Sequence, residues 1–339
     1  MKASTNGQQQ YEGNNGMEEI FTNFFMITLP MPFRLMHVNV FIMIHDDKIT
    51  LFDTGLNTPE NFLIFEKSLK HVNKKVRDIE SIFITHLHID HCGMAGWIKD
   101  ISGAEIYASE FGRPFVSRTN EPAFLDTLKV FCLSNGLPEE TTENIAIFFL
   151  NLKEAPGPFQ IDRYYQYNRN YMIGGREFEA VPTPGHTRDH VSFFFPEEHI
   201  LLSGDHVLPE ISPNIGPDLS APDFHPLQSF LESLSSVGRL PVKKVCPAHG
   251  SPFSNLTGRI NELKDHHQVR KDLTYKSVTM GTKNAFQVSQ DIFGSALPEF
   301  DRFLALNETY VHLSQLVIEG AIEEVMDKNQ IFYIPIDRD

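Results

Sequence analysis

The first third of the chain alternates short apolar runs with turn-forming residues. Thr58 can cap a helix predicted over 59–71, and Pro59 suits its first position. The buried run SIFIT at 81–85 predicts a further strand, after which strand and helix alternate up to 104–110. Three earlier runs are predicted as the strands of a meander: 24–30, 38–46 and 48–55. This alternation of strands and helices is typical of an α/β fold.

The later part of the chain departs twice from this alternation of strands and helices. Residues 111–170 carry helical patterns around 122–135 and 139–150 and an aromatic segment, and we interpret them as an insertion. Strand patterns return at 176–183, 190–196 and 199–205, followed by a capped helix at 225–237 and the strand of KKVCPAHG. Three helices (about 257–272, 283–293 and 300–319) and a hairpin at 321–335 then predict a small winged-helix-like module.

These patterns divide the chain into three parts. We predict a disordered tail at 1–18, a main domain at 19–256 that contains the helical insertion 111–170, and the winged-helix-like module at 257–339. The first sixteen residues are polar and lack the apolar region of a secretory signal. No window of 18 or more apolar residues is present to span a membrane. A cytoplasmic protein with no membrane partner is therefore expected.

Charge and cysteine usage restrict the function further. Lys and Arg total 29 against 44 Asp and Glu, so the formal net charge is −15, and such a surface repels phosphate backbones. Nucleic acid is accordingly an unfavoured partner. The three cysteines lie far apart without a C-x-x-C pair, which excludes a cysteine-only zinc site and favours a reducing compartment.

A dense group of potential metal ligands follows the strand at 81–85. In the run THLHIDH, His86 and His88 can turn the same way and hold one cation, while Asp90 and His91 face a neighbouring position. Three more candidates each stand at the end of a predicted strand: His186 in PTPGHTRDH, Asp205 in LLSGDHVL and His249 in VCPAHG. Strand ends at one edge of a sheet converge in space, so this order of motifs predicts a site for two metals.

With these motifs, the sequence resembles the metallo-β-lactamase superfamily of hydrolases over about residues 19–255, from the Asp of LFDTG to PAHG. It is more similar to the glyoxalase II, lactonase and endoribonuclease branches than to the antibiotic-destroying enzymes. The resemblance implies an αββα sandwich with a metal centre at one edge between its sheets. It also implies that Asp53 steadies the ligand loop and that His190, in the G-H-x-x-x-H pattern, has a structural role or supports the ligands.

The same resemblance assigns ligands by position. His86, His88 and His186 would bind the first metal, Asp90, His91 and His249 the second, and Asp205 would bridge the two metals. Five imidazoles and two carboxylates suit two Zn²⁺, with Fe or Mn as alternatives. Two cations that share a carboxylate can hold a hydroxide nucleophile at neutral pH, and Asp90 is the candidate for moving a proton to the leaving group.

Other chemically capable residues have simpler interpretations. Cys92 and Cys246 are expected to be buried structural thiols rather than ligands. The remaining histidines of interest have no supporting spacing, and we expect them at the surface or behind the ligands: His206, His225, His266 and His267.

Four functions remain open at this stage. The first hypothesis is hydrolysis of a small carbonyl substrate (an ester, lactone or thioester), with substrate-binding residues unknown. The aromatic insertion could roof an apolar pocket or only pack against the sandwich through Tyr164, Tyr165, Tyr167 and Tyr171. The alternatives are a phosphodiesterase or endoribonuclease acting on single-stranded RNA, a mono-iron dioxygenase, and a non-catalytic scaffold. A homodimer is a further option.

Overall fold

The computed structural model describes residues 16–32, 34–112, 122–152, 159–167 and 169–336. Its first sheet has seven strands in chain order; the first four are antiparallel, and the last four run parallel to one another. These strands are β1 Met17–Phe21, β2 Phe24–Pro30, β3 His37–His45, β4 Lys48–Phe52, β5 Ile79–Phe83, β6 Glu105–Ala108 and β7 Arg163–Tyr164. Pairs of parallel strands require crossovers, and helices lie in all three connections between β4 and β7.

A second sheet of five strands has the order β12-β11-β10-β9-β8, and only β11 and β12 are parallel. Its strands are β8 Asn170–Ile173, β9 Arg176–Pro182, β10 Val191–Phe195, β11 Ile200–Gly204 and β12 Lys244–Pro247. Helices cover the outer faces of both sheets and build the C-terminal part: α1 Pro59–His71, α2 Ile89–Cys92, α3 Ala95–Ser102, α4 Pro122–Ser134, α5 Glu139–Leu152, α6 Pro226–Val237, α7 Leu256–Thr279, α8 Ala285–Phe293 and α9 Glu299–Ile318.

Aromatic side chains form the layer between the sheets. On β10, Phe193 and Phe195 face the first sheet while Phe194 faces α6 and α7, because successive side chains of a strand point to opposite sides. Phe52 of β4 meets this layer from the other sheet, with ring centroids 5.1 Å from Phe193. The outer face of the first sheet packs on α1 and α3. The predicted αββα sandwich is therefore confirmed.

The C-terminal part consists of α7, α8, α9 and the hairpin β13 Ile322–Asp327 and β14 Gln330–Pro335. Lys328 and Asn329 form its two-residue turn with positive φ angles, the geometry that matches the twist of the strands. Helices α4 and α5 of the predicted insertion share a hydrophobic core with this part, in which Phe131 and Leu128 pack with Leu306. The three helices and the hairpin predicted from the sequence are all present.

Several boundaries differ from the sequence-based predictions. The predicted tail 1–18 is wrong at its end, because Met17 opens β1; its residues 1–15 lie outside the described part of the chain. Strands β7 and β8 were not predicted, because they are short and largely exposed. The helix predicted over 257–272 continues to Thr279, since Val278 is buried against the C-terminal core.

The ends of two further helices test the capping predictions. Thr58 caps α1 as predicted, accepting a hydrogen bond from the Asn61 amide at 3.2 Å. The predicted cap of the helix at 225–237 is wrong: His225 holds the cap position without a side-chain hydrogen bond, and Pro226 begins the helix. Among the described residues, no helix combines the length and apolar character needed to cross a bilayer.

Of the two alternatives for the aromatic insertion, packing against the sandwich describes three of the four named tyrosines. Tyr165 is buried in the layer between the sheets, and Tyr167 and Tyr171 pack against the same layer. Tyr165 donates its hydroxyl toward the carbonyls of Ile84 and Tyr107, both at 2.8 Å. These tyrosines therefore join the insertion to the sandwich, as the second interpretation held. Residues 113–121, 153–158 and 168 of the insertion lie outside the described residues.

Candidate metal centre

Seven candidate ligands reach one edge of the sandwich from four segments. The chain leaves β5 through Thr85 and then enters the one-turn helix α2, with His88 at its N-cap position. The helical turn places Asp90 and His91 on the adjoining side of the site, where the His91 ring lies 4.0 Å from the His86 ring between centroids. The remaining three candidates follow strands of the second sheet: His186 after β9, Asp205 after β11 and His249 after β12.

Three imidazoles form the first group. The Nδ1 atom of His88 lies 2.9 Å from His86 Nε2 and 3.0 Å from His186 Nε2. All three nitrogens fall within 4.8 Å of one another, the spacing of atoms around one ion. His86 is fully buried, whereas His88 and His186 are half-buried, so this group meets solvent on one side.

Asp90, His91 and His249 form the second group, again with one ligand atom from each residue within 4.8 Å of the others. Asp90 Oδ2 lies 3.5 Å from His249 Nε2 and 3.6 Å from His91 Nε2. Both imidazoles are buried, and the Asp90 side chain retains 16 % exposure. The sequence-predicted partition of the ligands into two groups therefore matches their grouping in space.

Asp205 stands between the groups. Its Oδ2 lies 3.5 Å from His186 Nε2 of the first group, and its Oδ1 lies 3.2 Å from His249 Nε2 of the second. His86, His91 and Asp205 also form a set within 4.8 Å, so the two groups adjoin. One carboxylate thus presents one oxygen to each group, the arrangement that a bridging ligand requires.

Buried acceptors select the tautomer of the imidazoles. His186 Nδ1 donates to the Asn214 carbonyl and His249 Nδ1 donates to the His37 carbonyl, both at 2.7 Å. A carbonyl can only accept, so each ring carries its proton on Nδ1 and leaves the lone pair of Nε2 for a cation. This orientation of a ligating histidine by a partner on its far nitrogen is typical of metal sites.

Asp53 supports one histidine of each group. Its Oδ2 accepts the Nδ1 proton of His91 at 2.8 Å, and it also accepts the Thr85 hydroxyl at 2.8 Å. The Thr85 hydroxyl has only one proton, so toward His86 Nδ1, 3.1 Å away, it acts as an acceptor. Asp53 Oδ1 accepts the Thr85 amide at 2.7 Å, which completes its set of partners. The expectation that Asp53 steadies the ligand loop agrees with these contacts.

His190 holds the backbone of Asp205. Its Nε2 accepts the Asp205 amide at 3.0 Å, and its Nδ1 donates to the Thr183 hydroxyl at 2.7 Å. This close approach requires Gly204, where a Cβ atom would lie 2.6 Å from His190 Nε2 and where φ is +53°. His190 is thus a support for the bridging carboxylate rather than a member of either group.

Electrostatics differ between the two groups. Burial, together with the neighbouring imidazoles, lowers the pKa of His88 to about 3 and keeps the pKa of His86 well below its usual value. In the second group, burial opposes protonation, but Asp90, Asp205 and Asp53 raise the pKa of His91 to about 9. Asp205 and Asp90 likewise overcome burial and raise the pKa of His249 to about 11. The carboxylates therefore favour positive charge in this group.

The donor set fits a pair of cations. His91 Nε2, His249 Nε2 and Asp205 Oδ1 are buried and face one another without a hydrogen-bond partner among the described residues. Unpaired buried polar atoms are costly, so a ligand that satisfies them is expected. Imidazole and carboxylate donors without a thiolate suit Zn²⁺, Fe or Mn. Bound cations would displace the protons of the two imidazoles.

The histidines outside the centre are more buried than expected. His206 is completely buried against Phe230, and His267 is buried between the Ser212 hydroxyl at 3.1 Å and His312 at 3.3 Å. Of the two expected positions, the surface one is wrong for both. His206 lies behind the ligands, with its ring centroid 6.1 Å from that of His190, and His267 lies on α7 on the side that faces Phe230 of α6. His225 is exposed, as expected, and His266 is partly buried. Cys92 and Cys246 are free and buried, as expected for structural thiols.

Four residues that contact the ligand segments were missed from the sequence. The Asp189 carboxylate accepts the Leu87 amide at 3.0 Å and so links the first ligand loop to the His186 loop. Asn214 connects His186 to α9 by donating its side-chain amide to the Leu304 carbonyl. The other two, His37 and Asn39, hold the His249 loop. A polar Asn39 within the apolar run of β3 was the one available signal.

Comparisons with known proteins agree with this architecture. Residues 34–249 match the family described as the metallo-beta-lactamase superfamily. The chain is 29% identical to the "Probable metallo-hydrolase YqjP" of Bacillus subtilis, over 92% of this chain and 98% of that protein. It is 24% identical to the "Beta-lactamase-like protein 2 homolog" of Caenorhabditis elegans, over 87% of this chain and 83% of that protein.

A solved structure shares the fold almost throughout. The "metallo-beta-lactamase family protein TTHA1429" of Thermus thermophilus superposes with a TM-score of 0.83 at 27% identity, covering 94% of this chain and 100% of that chain. A beta-lactamase domain protein from Burkholderia ambifaria gives a TM-score of 0.82 at 22% identity, covering 96% of this chain and 95% of that chain. The family match spans more than half of the sequence and includes all seven candidate ligands, so this chain belongs to the metallo-beta-lactamase superfamily.

Proposed function

We propose that this protein is a binuclear metal-dependent hydrolase, with zinc in both positions, that cleaves a small ester, lactone or thioester. Family membership and the names of the relatives support a metal-dependent hydrolase. The observation that carries the binuclear proposal is the placement of Asp205, whose two oxygens face different groups of imidazoles. A carboxylate between two cations is the usual bridge of such centres.

The protein residues have separate tasks in this proposal. Bound cations would supply a nucleophile derived from water at neutral pH and would polarise the scissile carbonyl. His86, His88 and His186 would hold one cation on the side that meets solvent, and a substrate would enter from that side. His91 and His249 outweigh the burial of Asp90 and lower its pKa to about 2, so the carboxylate is ionised at neutral pH and available as a ligand. A carboxylate with so low a pKa is a weak base, so in this proposal Asp90 would carry a proton to the leaving group only transiently.

Charge favours a small substrate over a polyanion. The chain carries a formal net charge of −15. The hairpin of the C-terminal part exposes Glu323, Glu324 and Asp327, against one cation at Lys328. This acidic surface is unfavourable for a phosphodiester backbone, which needs clustered Lys and Arg.

A hydrolysis panel on purified protein tests the proposal. It contains an acyl-homoserine lactone, a glutathione thioester, a nitrophenyl ester, a nitrophenyl phosphodiester and a cephalosporin. We expect turnover of a carbonyl substrate and a loss of at least about 100-fold in Asp205→Asn, through weaker metal binding or poorer activation of water. Asp223→Asn removes an exposed carboxylate and is the matched control. Unchanged turnover in Asp205→Asn would contradict the bridging role.

Metal analysis of the same preparations separates the alternatives. About two equivalents of Zn or Mn per chain support the binuclear hydrolase. About one equivalent of Fe together with oxygen uptake would contradict it and would favour a mono-iron dioxygenase. Cleavage of the phosphodiester alone would contradict a carbonyl substrate and would favour the phosphodiesterase alternative.

A further inference from the structure

Strand β3 of the first sheet holds the loop that carries His249 on the second sheet. The side-chain amide of Asn39 donates to the carbonyl of Pro247 at 3.1 Å and to the carbonyl of Gly250 at 2.8 Å. Its backbone amide donates to the Ala248 carbonyl at 2.7 Å. A single residue thus binds the His249 loop before, beside and after the histidine.

The orientation of the Asn39 amide is defined by its partners. Its Oδ1 accepts the Thr28 hydroxyl at 2.9 Å, and both protons of its Nδ2 have carbonyl acceptors. The reverse orientation would set Oδ1 against two carbonyl oxygens, so the assignment of nitrogen and oxygen follows from the network. Asn39 retains only 1 % exposure, and each of its side-chain polar atoms is satisfied.

His37, two residues earlier on the same strand, completes the attachment. Its carbonyl accepts the Nδ1 proton of His249, and its ring Nε2 accepts the Gly250 amide at 3.1 Å. The loop needs such support because Gly250 has φ +86° and the chain turns sharply directly after the ligand. The position of His249 Nε2 therefore depends on hydrogen bonds from the opposite sheet.

We propose that Asn39 is a positioning residue for the second metal, acting through the backbone of the 247–250 loop; this inference rests on the binuclear function proposed above. Without its amide, the buried carbonyl of Pro247 and the half-buried carbonyl of Gly250 lose their donor, and unsatisfied polar groups of this kind are unfavourable. The loop then shifts, and His249 Nε2 leaves the position that faces Asp205 and Asp90. The first group has no contact with Asn39 and keeps its geometry.

The test measures zinc affinity of the metal-free protein by competition with a chromophoric chelator. Asn39→Ala should weaken one of the two binding steps by about 10–100-fold, the usual effect of losing a group that supports a ligand. Asn39→Asp, which places a carboxylate against two carbonyls, should weaken the same step at least as much. Asn135→Ala is the matched control, because Asn135 is equally buried and donates its amide to the Phe131 carbonyl far from the centre.

Backgrounds that lack one ligand show which step has changed. With His88→Ala, the remaining tight site is the second group, and Asn39→Ala should still weaken it about 10–100-fold. With His249→Ala, the remaining site is the first group, and adding Asn39→Ala should change its affinity by less than about threefold. A merely structural role would instead lower the thermal stability of the metal-free protein and weaken zinc equally in both backgrounds.

The outcomes separate this inference from the proposed function. Wild-type protein that binds only one zinc would overturn the binuclear proposal and the role of Asn39 with it. Two wild-type binding steps that both remain unchanged in Asn39→Ala would overturn the positioning role alone. If Asn39→Asp does not fold, the Asn39→Ala measurements decide, since alanine removes the donors without adding charge.

Discussion

Replacement of Asp53 by asparagine should weaken zinc binding at both metal positions. The aspartate accepts three hydrogen bonds, from the Thr85 amide, the Thr85 hydroxyl and His91 Nδ1. Asn is the appropriate substitution because Asp53 has φ +57°, a conformation that asparagine tolerates well and alanine does not. The change therefore removes charge and one acceptor without adding backbone strain.

The size of the effect follows from the lost acceptor. An asparagine has one oxygen, so its NH₂ group must face either the Thr85 amide or His91, and a donor then meets a donor. A hydrogen bond to a charged group contributes about 1.5–3 kcal/mol, which corresponds to about 10–100-fold in affinity. The Thr85 hydroxyl also loses its charged acceptor and is free to rotate away from the His86 proton. Because the Thr85 hydroxyl contacts His86, its rotation should also weaken zinc binding by the first group.

Competition titration with zinc measures both steps, and Asp46→Asn is the matched control. Asp46 has φ +49° and is exposed, so this variant loses the same charge in the same backbone conformation away from the site. We expect both affinities to fall in Asp53→Asn and neither to fall in the control. Affinities within about threefold of wild type would refute the supporting role. Loss at only one step would refute the link through Thr85.

Three further predictions concern separate parts of the molecule. His88→Ala should lower bound metal by about one equivalent in elemental analysis, and an unaltered ratio would remove His88 from the site. Phe52→Ala should lower the free energy of unfolding by about 3–5 kcal/mol in urea titrations, because Phe52 is buried between the sheets. The control is Phe300→Ala, since Phe300 is exposed, and an equal decrease in the free energy of unfolding of both variants would contradict this account. Burial and neighbouring imidazoles lower the pKa of His267 to about 3. Between about pH 6.5 and pH 3, the unfolded chain therefore binds this proton and the folded protein does not, so the free energy of unfolding decreases as the pH is lowered. In metal-free protein, His267→Gln should remove about 2 kcal/mol of the loss between pH 7 and pH 5, whereas an unchanged pH dependence would contradict it.

The sequence was most informative about the candidate metal ligands that directly follow a strand. His86, His88, Asp90 and His91 follow a continuous apolar strand, and such a strand in a layered fold must end at the edge of a sheet. The grouping of these ligands with His186, Asp205 and His249 came from the resemblance to a known family, not from spacing. The distances among these atoms then agree with that grouping.

The arrangement of the insertion and the C-terminal part was beyond the sequence pattern. The apolar faces of α4 and α5 predict that these helices pack, but the pattern does not name their partner. In the structure, that partner is the C-terminal core around Leu306 and Val288, more than a hundred residues later in the chain. The tyrosines of the insertion, by contrast, pack beside the layer between the sheets. Tertiary contacts of this kind depend on which surfaces remain uncovered after both sheets have formed.

The groups that orient the ligand histidines could not be predicted from the sequence either, for a chemical reason. The acceptors that orient His186 and His249 are the main-chain carbonyls of Asn214 and His37, and every residue carries a carbonyl. No residue type marks such a position, so motif reading finds the donors of the centre and overlooks the backbone that orients them. Side-chain supports are more visible: Asp53 was identified from LFDTG, and Asn39 is a polar position within an apolar strand. Metal affinity in this protein therefore depends on where β3 and the loop at Asn214 place their backbones, and substitutions that move those backbones should act on the metals without touching a ligand.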